Sequence, residues 1–250
     1  MTLHLVPSMP EPFDPSEYEH RFACDWGTAN MKLSYQLSKK GAPPIPSDIE
    51  EVYQQGNRNH VPQRMGFVHS QGKYRFLWGF DFDDAYNMPS DSAPYFFQDV
   101  KMALYESPVQ DDIKRQIEDE LEILRADVPT ASRGEVQSSV DWLVGKHLYK
   151  AVRPAAKAFL RKRYGGIMTQ ENLEAIPERW IFLVPESASH EENARFQEIV
   201  RCAKFPPNTM LVSETEAAAA WRLWEVSQKV NGAFLSLNVR TTNSAFDEMS

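Results

Sequence analysis

The sequence predicts an α/β fold, a mixed five-stranded sheet with helices on its faces. Strand-type runs dominate the front third, apolar residues recur at three- and four-residue spacing in the middle, and strand and helix signals alternate in the last third. Arg21 to Trp26 and Met31 to Leu37 read as strands, the second alternating Met31, Leu33, Tyr35 and Leu37 with Lys32, Ser34 and Gln36. Trp26-Gly27-Thr28-Ala29-Asn30 is a tight turn between them. A Pro-rich stretch (Pro43, Pro44, Pro46) and a polar loop through Asn59 follow, then a hairpin of Arg64 to Ser70 and Lys73 to Phe80 about Gln71-Gly72.

Ile113, Ile117, Leu121 and Leu124 share one helix face, as do Val136, Val140, Leu143 or Val144, and Leu148. Pro154 should kink or divide the second helix, and Gly165-Gly166 should end it. Trp180 to Val184 is a strand stopped by Pro185. Ser189-x-x-Glu192 is a capping-box signal for a helix through about Ala203, and Thr209 to Val212 is a short strand. Ser213-x-x-Glu216 opens a helix from Ala217 to about Val226, and Ala233 to Val239 reads as a final strand.

Composition narrows the function classes. The chain has 250 residues, a formal charge of −8 and 42% hydrophobic residues, an ordinary globular mixture. No uninterrupted apolar run exceeds five residues, the length of Trp180 to Val184, so no membrane partner is expected. Residues 1–20 carry four prolines and no Lys or Arg; they are read as a flexible arm, not a secretory leader. Cys24 and Cys202 lack metal-ligand spacing and are expected to be buried thiols in a reducing, cytoplasmic setting. Net acidity argues against nucleic acid, since the dense basic cluster Arg161-Lys162-Arg163 is short and suits a helix C-terminus. Asp81, Asp83 and Asp84 lack the glycine of a calcium loop and read as a solvated loop; His190-Glu191-Glu192 has no histidine four residues on, so zinc is not expected.

Four local features carry chemistry. In Asp25-x-Gly27-Thr28-x-Asn30, Gly27 can take a positive φ, Thr28 and Asn30 add donors for an anion, and Asp25 can hold a divalent cation through water; the same residues also suit a plain turn. Lys101, in an otherwise aromatic and apolar segment, either snorkels to solvent or presents its charge to a site. The third is the strand end Leu183-Val184-Pro185. The fourth is Ser213-Glu214-Thr215-Glu216 before four alanines, which also suits a simple helix start.

In this order the features resemble the first lobe of the nucleotide-binding domain of the heat shock protein 70 family, within the actin, sugar-kinase and heat-shock ATPase superfamily. Asp25, Gly27, Thr28, Ala29 and Asn30 match its first phosphate loop, and Arg58-Asn59-His60-Val61-Pro62 is similar to its Arg-x-x-Pro-Ser segment. Lys101 falls where members, especially divergent fungal-type ones, place a catalytic lysine. Leu183-Val184-Pro185 resembles its Thr-Val-Pro strand end, and Ser213-Glu214-Thr215-Glu216-Ala217-Ala218-Ala219 its Asn/Ser-Glu-Pro-x-Ala-Ala-Ala signature.

The resemblance implies a ribonuclease H-like, actin-like ATPase lobe over residues 21–239 with an inserted helical subdomain at about 40–165, and a divergent tail at 240–250. It implies ATP or ADP with Mg²⁺ as cofactor. Asp25 would orient the hydrated metal and Gly27, Thr28, Ala29 and Asn30 would cradle the phosphates. Lys101 would meet the γ-phosphate or attacking water, and Glu214 would accept from a metal-bound water.

One segment departs from the family. Where it has a second phosphate loop, Asp-x-Gly-Gly-Gly-Thr-x-Asp, this chain reads Asn238-Val239-Arg240-Thr241-Thr242-Asn243-Ser244. Nucleotide binding is therefore expected to be weak and hydrolysis weak or lost, on an incomplete lobe. The alternatives are a non-enzymatic interaction module, with a protein partner or second lobe on an exposed apolar face, and a sugar-kinase-type lobe.

Overall fold

The computed structural model describes residues 13–42, 48–52, 61–87, 93–105 and 108–223. In chain order the elements are β1 (Tyr18–Trp26), β2 (Asn30–Lys39), β3 (Glu50–Glu51), β4 (Val61–Pro62), β5 (Met65–Ser70), β6 (Lys73–Trp78), α1 (Gly79–Tyr86) and β7 (Tyr95–Phe97). Then follow α2 (Pro108–Asp127), α3 (Val140–His147), α4 (Arg153–Tyr164), α5 (Gln170–Ala175), β8 (Glu178–Val184), α6 (His190–Cys202) and β9 (Met210–Ser213).

Among the described residues the main sheet is mixed and six-stranded, in the order β3-β2-β1-β8-β9 with β4 also paired to β2. β1 and β2 form the expected antiparallel hairpin, Phe22 opposite Tyr35 and Cys24 opposite Leu33. β8 lies parallel to β1, and β9 parallel to β8. The expected count of five differs because two short pieces, β3 and β4, line one side of β2, and because Ala233 to Val239 lies outside the described residues. The predicted hairpin, β5 and β6, joins β7 in a separate three-stranded sheet, so the segment at 40–165 holds strands as well as helices. Gly66 of β5 permits this pairing: a Cβ there would sit 2.0 Å from the Tyr95 carbonyl oxygen and 2.4 Å from the Phe82 ring.

Side-chain alternation gives the main sheet two unequal faces. His20, Phe22, Cys24 and Trp26 of β1, Met31, Leu33 and Tyr35 of β2, and Trp180, Phe182 and Val184 of β8 are buried on one face. The helices cover it with more rings: Phe22 stacks on Trp180 at 4.4 Å, Trp26 on Phe196 of α6 at 5.8 Å, and Phe159 and Tyr164 of α4 meet Tyr35 edge-on. On the other face Ala23, Asp25, Ile181, Leu183 and Val212 are only half-buried, and Met210 is exposed. β1 starts at Tyr18, three residues before the expected start, so Tyr18 to His20 belong to the sheet and not to an arm. The predicted alternation of β2 fails past Tyr35: Gln36 and Ser38 are buried, beside Glu19, whose carboxylate takes Arg21 at 2.5 Å and Arg179 at 3.3 Å.

Gly79-Phe80 does not extend β6. It opens α1, which places Asp81, Asp83 and Asp84 on a helix instead of a loop, with Arg64 donating to Asp83 at 3.2 Å. α2 buries Ile117, Leu121 and Leu124 as expected. The helix that Pro154 is expected to kink or divide is broken just before it into α3 and α4. A π-turn, Leu148–Val152, joins α3 to α4, and the Arg153 N–H bonds the Leu148 carbonyl. The wider turn accommodates the N–H that proline lacks. Arg161, Lys162 and Arg163 close α4, and Arg163 meets Glu50 at 2.8 Å. The capping box at Ser189 and Glu192 is formed in both directions. Cys24 is buried, but Cys202 is exposed because it ends α6 on its outward side.

Candidate functional site

β1, β8 and β9 run parallel, so Asp25, Pro185 and Ser213 all lie toward the same carboxyl end of the sheet. Ligands of open α/β sheets bind outside that end. Asp25 sits one residue before the end of β1, half-buried, and its carboxylate has no hydrogen bond or ion pair among the described residues. Thr28, Ala29 and Asn30 are exposed in the turn. The Ala29 carbonyl accepts from the Gln63 N–H at 2.9 Å, tying the turn to β4. Gly27 does not adopt the positive φ expected of it. Its requirement is steric, since a Cβ there would lie 2.6 Å from the Asn30 carbonyl oxygen.

Lys101 does not snorkel. It is 5% exposed, and its Nζ lies 3.2 Å from Glu214 Oε1, 113 residues away in sequence. The path to this position runs from β7 through Asp99, at φ +53°, into a 3₁₀ turn of Met102–Leu104. Arg195 of α6 donates to the Leu104 carbonyl at 3.2 Å and pins that turn. Glu214 follows β9 in the first turn of the helix at 214–223. Ser213 Oγ accepts from the Glu216 N–H at 3.1 Å, and the Ser213 N–H donates to Glu216 at 3.0 Å. That helix begins three residues before the predicted Ala217.

Cys24 precedes Asp25 in β1 and is buried. Burial pushes its thiol up, the neighbouring Asp25 carboxylate pushes it further, and the Lys101 ammonium opposes them. Asp25 and Lys101 therefore act on one point at this end of the sheet. The structure joins Lys101 to Glu214; it makes no hydrogen bond or ion pair between either and the Asp25 turn among the described residues.

Sequence reasoning missed three participants. Gln63 is buried, and its Nε2 has no hydrogen-bond partner among the described residues. Burial, and then the charges of Glu192 and Glu214, push the Tyr105 hydroxyl up, which places Tyr105 and Glu192 in the electrostatic neighbourhood of the Lys101–Glu214 pair. Tyr105 carries a signal as the last ring of the aromatic segment around Lys101, and Glu192 as the acidic end of the Ser189 capping box, but neither signal points to this site.

Among the described residues no group of three or more His, Cys, Asp or Glu can hold a metal ion. The donors at this end suit a hydrated Mg²⁺, which keeps most of its waters and takes one or two carboxylates plus ligand phosphates, better than a resident all-protein cage. No helix of the described residues is long and apolar enough to cross a membrane. The segment Asn238 to Ser244 lies outside the described residues, as do Arg58, Asn59 and His60. No protein-family model matches the chain, and no curated protein matches it.

Proposed function

We propose that the chain is an actin-like ATPase lobe of the heat shock protein 70 type that binds Mg²⁺–nucleotide weakly and hydrolyses it slowly or not at all. The observation that carries this reading is the contact between Lys101 and Glu214, two separately singled-out residues, at the carboxyl end of the parallel strands. The strand order β3-β2-β1-β8-β9, with its leading antiparallel hairpin, supports the fold side of the argument by analogy.

Bound Mg²⁺–nucleotide supplies the phosphoanhydride and the charge that polarises it. Asp25, whose carboxylate has no hydrogen bond or ion pair among the described residues, would help hold the hydrated cation. Gly27 lets the turn close tightly on the Asn30 carbonyl, and Thr28, Ala29 and Asn30 would face the phosphates. Lys101 spends one of its three donors on Glu214 and keeps two for a terminal phosphate oxygen. In sequence, Asn238 to Asn243 lacks the glycines of the family's second phosphate loop, and slow or lost hydrolysis is proposed on that ground.

Thermal unfolding with Mg-ATP and Mg-ADP tests the reading. Binding at a hundred times the dissociation constant adds about 2.7 kcal/mol, and Asp25→Asn and Lys101→Met should each reduce the gain. No shift at millimolar nucleotide removes nucleotide binding from the account. It would leave the second reading, a protein-interaction lobe, which one observation favours: Met210, Trp221 and Leu223 are 47%, 47% and 73% exposed at the β9 side of the sheet.

A further inference from the structure

Away from the carboxyl end of the sheet, α3 and α6 pack against each other and leave an open cleft of about 540 Å³, within the range of small-ligand sites. Its apolar lining comes from Trp142 and Tyr149 on the α3 side and Ile199 on α6. Its charges divide into two groups. Asp141 is held by Arg195 through bonds of 2.5 to 3.0 Å, and Glu198 by Arg201 at 2.5 and 2.7 Å, so both carboxylates in the cleft are already neutralised. Lys146 and Lys150 have no carboxylate within ion-pair distance among the described residues. Their ammonium groups rest on rings instead: Lys146 is 4.6 Å from the Trp142 centroid and 5.4 Å from Phe67, and Lys150 is 5.5 Å from Tyr149.

Two uncompensated cations over aromatic surface form an unbalanced arrangement. Burial disfavours the charged form of Lys146, and the neighbouring Lys150 disfavours it further. Among the described residues, Glu135 favours it from beyond ion-pair distance. An anion in the cleft would answer both penalties, and a flat apolar body attached to it would cover the exposed rings.

We propose that the cleft between α3 and α6 binds a small organic anion, a carboxylate or phosphate carried on a flat apolar body, held between Lys146 and Lys150 and against Trp142 and Tyr149. A binding role of this kind is independent of nucleotide at the sheet end. Cys202 provides a local reporter, because it lines the same cleft and is exposed, while Cys24 is buried.

The test follows alkylation of Cys202 by iodoacetamide, read by mass spectrometry on the full chain, with 1-naphthyl phosphate as the probe. At ten times its dissociation constant the probe should slow alkylation by about tenfold. Neither 1-naphthol nor inorganic phosphate at the same concentration should match it. Lys150→Met, at an exposed position, should weaken protection about fivefold or more, and Lys146→Met should do the same; Asp25→Asn should leave it intact. If Lys146→Met fails to fold, Lys150→Met and the three wild-type probes still decide the matter. Absence of protection overturns the proposal, and so does equal protection by 1-naphthol or by inorganic phosphate, or protection that survives both lysine substitutions.

Discussion

The two faces of the main sheet are built from the same strands by the same alternation, yet only one is a core. On the closed face Phe22, Trp180 and Phe182 form a run of ring contacts, Trp26 and Phe182 meet Phe196 of α6, and Tyr35 meets Phe159 of α4. On the open face the β8 and β9 residues Ile181, Leu183, Met210 and Val212 are apolar but remain half-buried or exposed, and the β1 end is polar, with Glu19 shared by two arginines. Apolar identity alone therefore does not make a core; what decides is whether a helix lies over it. Stability should come from the closed face, and the open face should tolerate change.

The sharpest way to break this comparison is to remove one large side chain from each face. Trp180→Ala should cost about 3–5 kcal/mol, whereas Leu183→Ala, from the same strand, should cost about 1 kcal/mol. Urea denaturation of the two variants reads the difference directly. Equal losses would mean that the open face carries as much of the fold as the closed one.

A second test uses acid. His147 lies on the closed side, accepting from Trp26 Nε1 at 3.2 Å, and burial holds its pKa down to about 3. The unfolded chain, titrating near 6.5, takes up this proton first. The stabilisation is therefore complete above about pH 6.5 and declines as pH falls toward 3, by a total on the order of 5 kcal/mol. Burial lowers His20 as well and adds to the same limb. His147→Gln, which keeps an acceptor for Trp26, should flatten the acid side of a stability–pH profile; an unchanged slope would remove His147 from the account.

The smallest effect is expected at the edge between the faces, in the Lys101–Glu214 pair. Because the Glu214 side chain is 52% exposed, solvent screens the pair, and Glu214→Gln should cost about 1 kcal/mol or less. A double-mutant cycle with Lys101→Met should return a coupling of about 0.5–1 kcal/mol. No coupling would separate the two residues that carry the proposed function.

Local signals in the sequence were read well where they act locally. The β1–β2 hairpin, the apolar stripe of α2 and the capping box of α6 all depend on residues within one turn or one strand of each other. The sequence reads as strand through Phe80 and as a loop at Asp81, Asp83 and Asp84, because an eight-residue helix that buries one large side chain, Phe82, carries no clear apolar stripe. The two-residue strands β3 and β4 are too short to carry a period, and Gln36 and Ser38 are buried opposite Arg21 and Glu19, a cross-strand setting that β2 alone does not show. At the site, Asp25, Lys101 and Glu214 were visible by residue type, but the contact between the latter two spans 113 positions and leaves no local mark. Gln63 gave no signal because a buried, unpaired amide is a property of its surroundings.

The π-turn between α3 and α4 also explains a spacing written in the sequence. Val140, Val144, Leu148, Val152, Ala156, Leu160 and Tyr164 recur at every fourth position, and all are buried. On an uninterrupted α-helix each such step drifts by about 40° around the axis, enough to carry the row out of the core within a few turns. Five residues wound more loosely take back part of that drift and keep one row of side chains facing inward along the whole length. Wound as regular α-helix, the same five residues would rotate the segment that follows and turn Tyr164 away from Tyr35, so the looser winding of this segment matters as much as its composition.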